Sequence, residues 1–149
     1  MTHASERALS YRHAPLRRLA NFRTMATIVV IDDESMNADV MAFMLSAEGF
    51  SVRTAADGEA GLRLVVEIHP DLIITDFMMP LMTGLELAQE LRANATTAHI
   101  PVVLLTAAQA EFGRRYPHLF DAVFAKPCLP SDIIGAVSRL LKSQTSRRI

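Results

Sequence analysis

Ile28-Val29-Val30-Ile31-Asp32-Asp33-Glu34 is the stretch that decides the fold. Its first four residues are all β-branched and show no alternation of apolar and polar positions. A strand of that kind is buried on both faces, as in the middle of a parallel sheet. The three acids that follow are out of place in such a core, so they mark the strand's carboxyl end.

The pattern repeats outward from this strand. Residues 35–48 place Val40, Met41, Met44 and Leu45 at helical spacing, with Gly49 as a C-cap. Ser51–Ala55 reads as a second strand and Asp57-Gly58 as a turn. Residues 59–67 predict a helix with Leu62, Val65 and Val66 inward, stopped by His69-Pro70. Leu72–Thr75 is a third strand, ending at Asp76. Residues 84–93 predict a helix using Leu85, Leu87, Ala88 and Leu91. Ile100–Thr106 reads as the fourth strand and Ala122–Ala125 as the fifth. Between them, Gly113 and Pro117 interrupt the segment Gln109–Asp121, so the fourth helix is expected to be short or irregular. Residues 131–142 close the pattern as a helix with Ser131 as N-cap and Ile133, Ile134, Val137, Leu140 and Leu141 apolar. Five such units predict an α/β fold, a parallel sheet covered by helices on both faces.

The chain has 149 residues, half of them hydrophobic, and a net charge of -1. That near-neutrality averages two unlike segments. Residues 1–24 carry Arg7, Arg12, Arg17, Arg18 and Arg23 against Glu6, a net of +4. The rest carries ten basic and fifteen acidic groups, a net of -5. Residues 1–24 therefore read as a basic extension, either a mobile tail or the product of a start codon placed too early. Residues 25–149 read as one domain. The extension lacks the apolar core of a secretory signal, and no stretch suits a membrane span. The single cysteine, Cys128, excludes a disulfide framework and a cysteine-cluster zinc site, and a cytoplasmic location is the default.

In sheets of this type ligands bind at the carboxyl ends of the strands. The first strand ends in Asp32-Asp33-Glu34, the third in Asp76, the fourth in Thr106 and the fifth in Lys126-Pro127. Asp32, Asp33 and Asp76 place three carboxylates in one pocket. Two unit charges 4 Å apart repel by ~4 kcal/mol at an effective dielectric of 20. Such a cluster calls for a cation, and an all-oxygen ligand set suits Mg²⁺. Asp76 is then placed as a nucleophile toward a phosphoryl group. Lys126 offers a positive charge, and Thr106 a hydroxyl, to the phosphoryl oxygens. Taken singly, each residue has a plainer reading: a turn or cap aspartate, a packed threonine, a surface lysine. Their coincidence at four strand ends favours the joint reading.

The stretches Ile28–Glu34, Asp76–Gly84, Val102–Ala107 and Phe124–Pro127 resemble the receiver domain of response regulators, over about residues 26–142. The resemblance implies a flavodoxin-like (βα)5 sheet with strand order 2-1-3-4-5. It implies Asp76 as phosphoacceptor, with Thr106 and Lys126 contacting the phosphoryl group. It implies Mg²⁺ bound by Asp33, Asp76 and the Met78 backbone carbonyl, and by Asp32 chiefly through water. It also implies a cis Lys126-Pro127 peptide. The phosphodonor would be a sensor histidine kinase or a histidine phosphotransfer protein.

With seven residues after position 142, the expected role is a stand-alone response regulator acting on a downstream protein by contact. It would not be an enzyme in the ordinary sense. Neither DNA nor a membrane would be bound, and the chain would be a monomer or weak dimer. The alternative is a pseudo-receiver scaffold that binds without phosphorylation. A small phosphatase ranks last, for want of a second acid to assist a leaving group.

The sequence departs from the family in several places. Val123 stands where the family often has Tyr or Phe. Phe124 is one residue along, so it points to the opposite face and into the core. Met78 and Ala108 occupy the positions that tune the hydrolytic water, and neither side chain hydrogen-bonds a water; a long-lived acyl phosphate is expected. Cys128, where Phe is common, is expected to be a packed thiol. Arg114, Arg115, Tyr116 and His118 offer either a partner surface or a solvated loop.

Overall fold

A computed structural model describes residues 26–148. The basic extension of residues 1–24 lies outside the described residues. The elements alternate without exception: β1 (Thr27–Ile31), α1 (Ser35–Ala47), β2 (Ser51–Ala55), α2 (Gly58–Ile68), β3 (Leu72–Thr75), α3 (Gly84–Ala93), β4 (Val102–Thr106), α4 (Ala110–Arg114), β5 (Ala122–Ala125) and α5 (Pro130–Arg148). The strands form one parallel sheet in the order β2-β1-β3-β4-β5. The flavodoxin-like topology expected from the sequence is therefore the one observed.

The central strands β1, β3 and β4 alternate between two cores, because successive side chains leave a strand on opposite faces. Val29, Ile31, Ile73, Val102 and Leu104 face one layer, shared with Val65 of α2 and Leu87, Ala88 and Leu91 of α3. Ile28, Val30, Leu72, Ile74, Val103 and Leu105 face the other, shared with Ala38, Met41 and Leu45 of α1 and Ile133 and Val137 of α5.

Element ends follow capping chemistry. Gly49 adopts φ 97°, where its N–H donates to the Ser46 carbonyl at 2.9 Å and Phe50 N–H donates to the Leu45 carbonyl at 3.2 Å. That pair is a Schellman closure, and the left-handed backbone suits glycine. Asp57-Gly58 is not a free turn. Asp57 caps α2, its Oδ1 accepting from Ala60 N–H at 2.7 Å. Thr83 and Glu86 form a reciprocal capping box on α3.

Several expected details are corrected. Strand β4 begins at Val102 rather than Ile100. Helix α5 begins at Pro130 and runs past residue 142. Ser131 therefore lies inside its first turn rather than capping it, and Pro130 takes the first helical position that its missing N–H suits. Val40 and Val66 point outward, 53% and 47% exposed. Helix α4 is short, as expected, with five residues and its end one residue after Gly113; a Cβ at Gly113 would overlap the Leu104 side chain, so the glycine also lets α4 sit tightly on the sheet.

Candidate functional site

The register of the sheet brings the strand ends together. Asp76 follows β3, and its N–H donates to the Ile31 carbonyl at the end of β1 at 3.0 Å. Asp32 leaves β1 with its N–H on the Ala55 carbonyl of β2 at 3.1 Å. Lys126 leaves β5 with its N–H on the Thr106 carbonyl of β4 at 2.9 Å. Backbone hydrogen bonds, rather than the side chains themselves, set these positions.

Carboxylate oxygens of Asp32, Asp33 and Asp76 lie within 4.8 Å of one another. Asp32 is buried, Asp76 half-buried and Asp33 exposed, so the cluster opens to solvent on the Asp33 side. The Lys126 ammonium donates to Asp32 Oδ2 at 3.0 Å and lies 3.6 Å from Asp76 Oδ2. Burial pulls the Lys126 pKa down. The hydrogen bond to Asp32 and the charges of Asp76 and Asp32 outweigh that, and together hold it above the ordinary lysine value. One ammonium against three carboxylates still leaves a net negative pocket. Its all-oxygen donor set, with an open side for water, fits a hard divalent cation such as Mg²⁺. Thr106 is buried at the neighbouring strand end. The Lys126-Pro127 peptide is cis.

The two oxygens of Asp76 are inequivalent. Oδ1 accepts from Phe77 N–H at 2.7 Å. Oδ2 faces Lys126 and has no backbone partner among these contacts. The loop that follows is pinned at both ends. Gly84 N–H donates to the Phe77 carbonyl at 2.8 Å. Met79 is buried beneath the loop, while Met78 and Leu81 point out at 58% and 74% exposure.

Gly84 is required by close approach. A Cβ there would overlap the backbone carbonyl of Asp76 and crowd the Cα of Phe77. Helix propensity alone would favour Ala over Gly by up to ~1 kcal/mol. Backbone cannot move aside as a side-chain tip can, and overpacking costs about 1–3 kcal/mol. Gly84→Ala is therefore expected to lower stability by about 1–2 kcal/mol net, read as a lower urea midpoint. An unchanged or higher midpoint would show that the loop yields freely.

Val123 packs toward α4 and Phe124 toward the opposite core, as their one-residue offset requires. Cys128 is partly buried in the second core. Burial first, then the Asp132 charge, push its thiol pKa up against the opposing pull of Lys126, as suits a packed thiol. Arg114 pairs with Glu111 of its own helix. Arg115 and His118 are exposed, and Tyr116 is half-buried.

Two features escaped the sequence. The first is a chain of aromatic rings. Phe77 meets Phe112 edge-on at 5.4 Å and 88°. Phe112 meets Tyr116 at 5.2 Å, and Tyr116 meets His118 at 6.1 Å. The second is Arg92. Its guanidinium donates to the carbonyls of Ala98 (3.0 Å), Ile100 (2.6 Å), His118 (3.1 Å) and Leu119 (3.1 Å), and to Asp121 Oδ2 (3.0 Å). Such contacts, made largely across distant segments, leave no local pattern to read.

The response regulator receiver domain family matches residues 28–138, and the chain belongs to it. This is a receiver domain of two-component systems, and receiver domains bind Mg²⁺ in an acidic pocket of this kind. Over 83 residues the chain is 41% identical to the DNA-binding dual master transcriptional regulator RpaA of Synechocystis sp.. That match covers 56% of this chain and 34% of RpaA, so the chain spans about a third of that relative. A response regulator receiver domain protein from Clostridium thermocellum aligns with TM-score 0.74 and 28% identity, covering 81% of this chain and 98% of that one. The receiver domain of a signal transduction histidine kinase from Syntrophus aciditrophicus aligns with TM-score 0.73 and 28% identity, covering 79% and 91%. Among the described residues no helix is long and apolar enough to cross a membrane.

Proposed function

We propose that Asp76 accepts a phosphoryl group from a phosphohistidine of a sensor histidine kinase or histidine phosphotransfer protein. The chain then acts as a response regulator by contact with a downstream protein. One observation carries this reading: Asp32, Asp33, Asp76 and Lys126, from three separate strand ends, converge on one pocket. Asp76 Oδ2 is the reacting atom, since Oδ1 is held by Phe77 N–H. The bond from Oδ2 to phosphorus forms as the bond from phosphorus to the donor imidazole nitrogen breaks, and that nitrogen keeps the electron pair. Lys126 stands where it stabilises the negative charge on the transferring oxygens, and Thr106 offers its hydroxyl to another of them. Mg²⁺, when held by Asp33, Asp76 and the Met78 carbonyl and by Asp32 through water, supplies further positive charge to the same oxygens. The exposed side chains of Met78 and Ala108 have no group to orient a hydrolytic water, so the acyl phosphate is long-lived.

Val123, lacking a ring, favours the second reading, a scaffold that binds without phosphorylation. Intact mass after incubation with Mg²⁺ and acetyl phosphate separates the two. A single phosphoryl adduct, absent when Mg²⁺ is chelated before the donor is added, is the expected result. No adduct at saturating donor would overturn the proposal in favour of the scaffold. Multiple-turnover phosphate release would favour a phosphatase.

A further inference from the structure

The aromatic chain begins at the residue that touches the phosphoacceptor and ends on the surface. Phe77 holds Asp76 Oδ1 through its backbone N–H at 2.7 Å, and its ring is buried. Phe112 of α4 takes the edge-on contact with Phe77, and Tyr116 and His118 continue the chain outward. A ring on β5 does not supply another route, because Val123 faces α4 and Phe124 packs in the opposite core. Helix α4 is seated directly on Leu104 and Val123 at Gly113, with no side chain between.

We propose that the Phe77–Phe112–Tyr116 ring chain carries the phosphorylation state of Asp76 to the surface at His118. The inference rests on Asp76 being the phosphoacceptor. Phosphorylation at Oδ2 turns Oδ1 from a carboxylate oxygen into an uncharged carbonyl oxygen. The Phe77 N–H bond then loses its charge assistance, and with it roughly half its strength. Phe77 joins the two ends of this link: its backbone N–H bonds Oδ1, and its ring meets Phe112 of α4. Edge-on ring pairs are directional, so a displaced ring moves its neighbour rather than sliding past it. Close packing makes such a shift a choice between discrete arrangements.

The test records adduct and surface response on the same sample of full chain, treated with Mg²⁺ and acetyl phosphate. Intact mass reports phosphorylation. The ring resonances of His118 in proton NMR, assigned with His118→Gln, report the surface. In the wild type the adduct is expected with a shift of the His118 resonances. In Phe112→Leu, which keeps apolar volume but removes the ring, the adduct is expected without that shift. Tyr116→Leu, at a half-buried position, breaks the chain further out and is expected to lose the shift as well. Phe112→Tyr, which keeps the ring, is expected to retain it. A full His118 shift in phosphorylated Phe112→Leu or Tyr116→Leu would overturn the proposal, as would a phosphorylated wild type with no shift. A wild type without adduct would instead remove the phosphoacceptor reading, and this inference with it.

Discussion

Asp76→Asn is expected to abolish the phosphoryl adduct completely while leaving the protein folded. Asn is isosteric with Asp, and its Oδ1 still accepts from Phe77 N–H, which fixes the amide orientation. The atom replacing Oδ2 is an amide nitrogen, whose delocalised electron pair does not attack phosphorus. Neither remaining acid is a substitute: Asp32 Oδ2 is buried against Lys126 at 3.0 Å, and Asp33 is exposed at the rim. The sign of the stability change follows from the same charges. The substitution removes repulsion toward two carboxylates within 4.8 Å and attraction to one ammonium at 3.6 Å. Each such term is about 4 kcal/mol at 4 Å and an effective dielectric of 20, so the balance favours the variant without metal. With Mg²⁺ the order is expected to reverse, because ligand binding stabilises the native state by RT ln(1 + [L]/Kd) and the variant lacks a carboxylate of the proposed metal site. Melting without Mg²⁺ should place the variant at or above the wild type, and the Mg²⁺-induced rise should be smaller. Retention of the adduct, or a marked drop in the metal-free midpoint, would sink this assignment of the pocket.

Much of the fold was legible because β1, β3 and β4 are buried on both faces, which writes an unbroken apolar run into each. Helix orientation was less legible. Residues 40–45 of α1 are all apolar, so periodicity does not say which side faces the sheet. Packing on β1 and β2 selects Met41 and Leu45, and leaves Met36, Val40 and Phe43 in solvent. Asp57 shows the same limit at an element end: Asp-Gly serves equally as a turn or as a cap with the first helical residue, and the Ala60 N–H decides for the cap.

The site was legible to the extent that topology alone assembles it. Once five parallel strands are in place, Asp32, Asp76, Thr106 and Lys126 must share one end of the sheet. What the residues of that end touch beyond it was not legible. Phe77 and Phe112 are 35 positions apart in the sequence, and their meeting depends on how a five-residue helix seats on the sheet. The second role of Gly113 was hidden for the same reason. A glycine that ends a helix and one that also lets it approach a strand look alike until the strand is present.

Arg92→Met is expected to cost about 3 kcal/mol of stability, and the damage should centre on residues 98–121 rather than on the pocket around Asp76. Met keeps most of the apolar stem and removes the guanidinium, so the loss reports the hydrogen bonds. The carbonyls that lose their donor are not equivalent. His118 is exposed and Ala98 partly exposed, so water replaces the guanidinium there. Ile100 and Leu119 are 1% and 3% exposed, and water does not easily reach them. An unsatisfied buried acceptor costs about 1–3 kcal/mol, and two of them set the expected magnitude. Asp121 is not orphaned, since its Oδ2 also accepts from Val102 N–H at 2.8 Å. Arg92→Lys should recover less than half of the loss, because a single ammonium does not span acceptors laid out for a planar fork. Urea unfolding gives the magnitude, and amide hydrogen exchange gives the location: protection should fall first at residues 116–121 while β1 and β3 keep theirs. A loss below about 1 kcal/mol would mean that water enters and satisfies Ile100 and Leu119, and that Arg92 merely occupies the surface between α3 and β5.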